Sequence, residues 1–124
     1  MSADGTTVAV GAKGAGAVYV FTRNGTTWTR QAYVKAFNTD RGDEFGWSVA
    51  LSADGSTLAA GAIDEASAAI GVDGDQNNNN AQQAGAVYLF TRSGTSWQQS
   101  AYVKAPNTDV GDEFGWGVAL SGAV

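Results

Sequence analysis

Asp73, Asp75 and Asn77 stand at alternate positions in the stretch VDGDQNNNNAQQ, residues 72–83. Three oxygen-bearing side chains at this 1, 3, 5 spacing can turn toward one cation, as in a helix-loop-helix calcium loop. The pattern then departs from such a loop. Asn78 stands where a glycine should make the sharp turn, and Ala84 where a bidentate glutamate should close the shell. These three residues are a calcium candidate. The preferred reading of the stretch is a solvated, flexible insertion, because Asp, Asn, Gln and Gly disfavour regular structure. A ligand-contacting loop held by a rigid scaffold is the third reading.

A second group of acids is Asp40, Asp43 and Glu44, repeated as Asp109, Asp112 and Glu113. Paired carboxylates could serve a glycoside hydrolase, one as acid and one as base or nucleophile. The same triplet beside Gly42 and Gly111 is also what a turn uses to accept backbone N–H groups. It occurs once per repeat, as a connector does, whereas an active site breaks symmetry, so no catalytic residue is assigned. The chain has no histidine and no cysteine. That removes the commonest general base, the commonest transition-metal ligand and any thiol nucleophile or disulfide. Trp28, Trp47, Trp97 and Trp116 suggest carbohydrate stacking, yet they too recur in register, which favours packing between elements.

The elements that would position these residues are set by an internal repeat. Residues 16–52 recur at 85–121, and 28 of the 37 aligned residues are identical. The segment SADGTTVAVGA at 2–12 returns as SADGSTLAAGA at 52–62. The offsets are 69 and 50, because the second copy carries a long loop at 63–83 where the first has Lys13 and Gly14. Such units bury their hydrophobic faces on neighbours, and stability usually wants about three of them.

Each complete unit reads as four strands. FGWSVALS at 45–52 alternates Phe45, Trp47, Val49 and Leu51 against small residues, as suits a strand between two sheets. Asp54-Gly55 signals a hairpin. The strand at 57–62 is small and apolar throughout. The strand at 85–92 alternates again, and 96–105 reads as the more polar outer edge. No helical period is present.

Phe45-Gly46 and Phe114-Gly115 open the first strand of a unit, Gly11-Ala12 and Gly61-Ala62 close the second, and Gly-Ala-Val-Tyr opens the third. These elements resemble the FG-GAP repeat, which builds the seven-bladed propeller of integrin α-subunits and of many bacterial surface proteins. The resemblance implies an all-β fold of two four-stranded antiparallel propeller blades. Expected boundaries are 2–44 for strands two to four of the first blade, 45–113 for the second, and 114–124 for an orphan innermost strand. Lys13 and Ile63 replace the proline of the family's Gly-Ala-Pro element. Many members also hold calcium in an Asp-x-Asn-x-Asp-Gly loop, but Ser-Ala-Asp-Gly at 2–5 and 52–55 offers one carboxylate, too few oxygens for calcium. That site does not carry over, and no cofactor other than calcium is in view.

The net charge of −5, with seven scattered basic residues, argues against nucleic acid. No apolar run approaches the roughly 20 residues of a membrane span, and no signal peptide is legible in this chain. The first blade lacks its innermost strand, and residues 114–121 are that strand without a sheet. Phe114, Trp116, Val118 and Leu120 are therefore expected to pair against the strand bearing Val8 and Val10, through another copy of the chain or through adjacent repeats. With two blades per chain only even rings close, and an open filament is the other outcome. The expected function is a non-enzymatic surface or extracellular scaffold for adhesion, taking a protein or carbohydrate ligand. The alternative is a self-assembling structural protein, and a hydrolase is remote. An extracellular or cell-surface location follows from the resemblance alone.

Overall fold

Seven strands and no helix make up the computed structural model, which describes residues 1–36, 42–75 and 77–122. Strands β1 (Thr7–Ala12), β2 (Ala17–Asn24) and β3 (Thr27–Val34) form a three-stranded meander. Strands β4 (Phe45–Leu51), β5 (Thr57–Ala62), β6 (Ala86–Ser93) and β7 (Ser96–Val103) form a four-stranded one, and every neighbouring pair is antiparallel. All four strands read in the complete unit are therefore present, innermost to outermost in chain order. Both outer strands carry the same bulge against the third strand, between Val20 and Phe21 and between Leu89 and Phe90. The two sheets are thus copies at the level of register as well as of sequence.

The tight turn into β5 is built by one aspartate. Asp54 Oδ1 accepts from Ser52 Oγ–H at 2.7 Å, Ser56 Oγ–H at 2.7 Å and the Ser56 N–H at 3.0 Å. These bonds hold its carboxyl down to about 2, with the Ser52 hydroxyl contributing most. Asp4 does the same at the turn into β1, held below its usual range by the Thr6 backbone N–H first and then by the Thr6 and Ser2 hydroxyls.

The core lies between the sheets. The inward side of the first presents Val18, Val20 and Val34, and that of the second presents Leu58, Ala60, Tyr88, Phe90 and Tyr102. Phe45 is fully buried and meets Tyr88 and Phe90 edge-on at 5.5 and 6.0 Å between ring centres. The face of β1–β3 that points away from this core carries Val8, Val10, Tyr19, Phe21 and Tyr33, with Val10 and Tyr33 nearly half exposed.

One expectation needs correction. The alternation along FGWSVALS is interrupted, because Phe45 pairs with Ala62 and Ser48 with the next residue, Gly61. Gly46, at φ +91, makes this bulge, and Trp47 leaves the face shared by Phe45, Val49 and Leu51. The loop at 63–83 is buried at its start, whereas most of the described residues in the stretch 72–83 are exposed, in keeping with a solvated insertion. Ile63, Glu65, Ala66, Ser67 and Ala81 in it are buried. Residues 114–122 form no strand within this chain. They lie against β5 and β6, with Phe114 making one parallel bridge to Gly85.

Candidate functional site

A loop of small and polar residues can be ordered only if its polar groups find partners. In 63–83 the anchor is Glu65, which is 2% exposed. One of its oxygens accepts from Lys104 Nζ at 3.0 Å and from the Ser67 N–H at 2.6 Å. The other accepts a short hydrogen bond from the Tyr102 hydroxyl. Burial and the Glu65 carboxylate push that phenol well above its ordinary range. Lys104 has no exposed side-chain surface, so its charge is offset inside the protein rather than by water. Lys35, its counterpart in the first repeat, is exposed and lies over the Tyr33 ring.

The loop then adds to the sheet. Val72 bridges Val103 antiparallel, the Asp73 N–H donates to the Tyr102 carbonyl at 2.7 Å, and the Lys104 N–H to the Gly71 carbonyl at 2.7 Å. This covers the outer edge of β7, which would otherwise offer unpaired N–H and C=O groups. Its far end holds the following connector, since the carbonyls of Gln82, Gln83 and Ala84 accept from the N–H groups of Gly111, Glu113 and Phe114 at 2.9 Å.

The calcium candidates serve this architecture. Asp73 Oδ1 accepts the Tyr102 N–H at 2.9 Å, and Asp75 Oδ1 accepts the Asn77 N–H at 3.0 Å. Asn78, at the position where a calcium loop wants glycine, bonds the Ala68 N–H and the Asp75 carbonyl. Among the described residues no three acids gather as a metal cluster. The connector acids are dispersed as well. Asp43 is buried, Glu44 pairs with Lys13 at 3.6 Å, and Asp112 Oδ2 accepts the Asp109 N–H. Glu113 sits at φ +52, matching Glu44 at +58, while Asp40 lies outside the described residues.

The tryptophans divide into two kinds of packing. Trp47 and Trp116 lie 4.8 Å apart between ring centres, with Lys13 Nζ 4.2 Å from the Trp47 ring. Trp97 packs on the core and donates Nε1–H to Gln31 Oε1 at 3.0 Å, whereas Trp28, its counterpart, is exposed. Of the strand candidates, Phe114, Val118 and Leu120 are half-buried and Trp116 is exposed, and Val8 and Val10 stand on the outer side of β1.

Between the loop and the connector opens a cavity of about 370 Å³ lined by Asp43, Asp64, Asn79, Gln82 and Gln83, with Gly42 and Ala66. Asp64 Oδ1 is buried there, and none of the described residues donates to it. The sequence reading did not single out Asp64, Asn79 or Gln82. The only signal available was that 63–83 breaks the symmetry of an otherwise faithful repeat.

A family model described as the FG-GAP repeat matches residues 28–90, from the last strand of the first sheet through the third strand of the second. The chain belongs to the FG-GAP repeat family. No curated protein sequence matches it.

Proposed function

We propose that this FG-GAP repeat chain is a non-enzymatic binding module of the cell surface or extracellular space, and that the loop at 63–83 presents its ligand-contacting pocket. Membership of the family makes it a β-propeller repeat module. The observation that carries the binding reading is the anchorage of the loop, present in one repeat only, by the buried Glu65, Tyr102 and Lys104. Binding residues are commonly set on loops that a rigid scaffold holds. The lining of carboxylates and amides supplies acceptors and donors and little apolar surface, which suits a hydroxyl-rich carbohydrate or a polar protein segment. A glycan and extracellular-matrix array, read with the unaltered chain and with Asp64→Ala/Asn79→Ala, is the test. Signal lost in the variant supports the pocket, and equal signal from both chains refutes it.

A second reading is a self-assembling structural protein, in which residues 114–121 exchange head to tail into rings or filaments. It is favoured by the place of β1 at the edge of its sheet and of residues 114–122 outside both sheets, among the described residues.

A further inference from the structure

The contact between the two sheets is built from two unlike faces, and each of these faces occurs a second time on the side of a sheet that points away from the contact, the one on the second sheet partly covered by residues 113–120. The first carries Ala9, Val18, Val20 and Val34 inside, and its outward counterpart in the second sheet is Ala59, Val87, Leu89 and Val103. The other carries Tyr88, Phe90 and Tyr102 inside, and its outward counterpart in the first sheet is Tyr19, Phe21 and Tyr33. Residue types are the same but for Leu89. The inner pair is filled by aromatic rings, whereas the outward face of the second sheet borders a cavity of about 530 Å³ against Trp116, Val118 and Leu120.

Residues 114–122 already sit where the first strand of a further blade belongs. The Ala3 N–H donates to the Ala53 carbonyl at 2.8 Å, and the Ala53 N–H donates to the Gly122 carbonyl at 2.9 Å. Positions 3, 53 and 122 are equivalent in the repeat, so one hydrogen-bond relation runs across three successive units. The blade-to-blade relation therefore continues onto the outward side of the second sheet.

We infer that this outward face takes a second copy of the chain, seated through its Tyr19, Phe21 and Tyr33 face, with residues 114–121 lying along the free edge of that copy's β1. This rests on the self-assembly reading above and gives it a surface and a polarity. The contact is head to tail, so each copy keeps one face of each kind free, and the assembly grows or closes according to its rotation. Internal equivalence also fixes a marker contact. Trp97 meets Gln31 within the chain, and the corresponding pair between copies is Trp28 of one and Ser100 of the other, both exposed.

The test mixes two blocked chains and reads mass by light scattering after gel filtration. Val10→Glu blocks one face and Leu89→Glu the other. The unaltered chain is expected to be multimeric, each variant monomeric, and the equimolar mixture a dimer, since each variant retains the face its partner needs. A mixture that stays monomeric while both variants keep the native circular dichroism overturns the inference. Unchanged oligomers in both variants, combined with monomers on deleting residues 114–122, overturn the stacking and leave strand exchange standing. A monomeric unaltered chain removes both. Because Leu89 is half-buried, a fold-safe measurement accompanies these. The chain has no cysteine, so Trp28→Cys and Ser100→Cys chains can be joined by a short bis-maleimide. The mixed crosslink should exceed either self-crosslink several-fold, and equal yields contradict the geometry.

Discussion

The carbonyl oxygen of Gly46 lies over the α-carbon of Gly11, so close that a Cβ on Gly11 would fall well inside 3.0 Å of it. Gly115 stands in the same relation to Gly61. Each is the place where the opening segment of one unit crosses the second strand of the unit before it. The FG and GA dipeptides of the repeat are therefore two sides of one backbone contact.

Gly11→Ala should cost about 1–3 kcal/mol, the range for forcing extra volume into a packed site. Neither backbone can retreat without disturbing β1 or β4. Gly61→Ala should instead displace residues 114–122, which no sheet holds. Urea unfolding of the two variants checks the difference. Equal and negligible effects would show that the crossing is not close.

Lys104→Met should destabilise the protein by about 3–5 kcal/mol, because it leaves the Glu65 carboxylate buried without its cation. Lys35→Met, at the exposed counterpart, should stay within about 0.5 kcal/mol. The repeat supplies its own control, and chemical denaturation of both variants measures it. A double variant, Glu65→Leu/Lys104→Met, should recover part of the loss, since an apolar pair removes the uncompensated charge.

Asp54 carries the acid sensitivity of its turn. Its carboxyl lies at about 2 in the folded chain against an ordinary 3.8. A depressed folded value contributes stability that is present above the unfolded value and lost as pH falls from about 4 through about 2. Carbon-detected NMR titration of the Asp54 carboxyl reads it directly. Asp54→Asn should flatten that part of the stability profile. Calcium titration should find no site at Asp4 or Asp54, whose Oδ1 atoms are engaged by their own turns.

Asp73→Ala should cost about 1–3 kcal/mol through loss of the acceptor for the Tyr102 N–H. It should also speed hydrogen exchange at that amide. An unchanged exchange rate would mean that residues 71–73 do not seal the β7 edge.

The sheets were legible because repeat, alternation and turn chemistry agreed. Asp54-Gly55 fixed a hairpin, and β5 showed its burial in small apolar residues. The bulge after Phe45 was not legible, since period-two alternation says nothing of an inserted pair, and Gly46 reads as merely small. The loop was legible only in part. Its Asn and Gln content describes a solvated segment, while its order comes from Glu65 meeting Lys104, 39 residues away, across a space that sequence spacing does not show. The cavity at Asp64 was hidden with it. Residues 114–120 repeat the sequence of β4, yet they form no strand and lie against the second sheet, because the pairing partner that β4 has in β5 is not beside them.

Amide hydrogen exchange across residues 65–73, compared with β7, tests most directly whether the loop is a sheet-anchored platform for a ligand. Protection of Glu65, Ser67 and Asp73 approaching that of Tyr102 and Lys104 is the expected result. Exchange at unprotected rates through that segment, with β5 to β7 still protected, would contradict it.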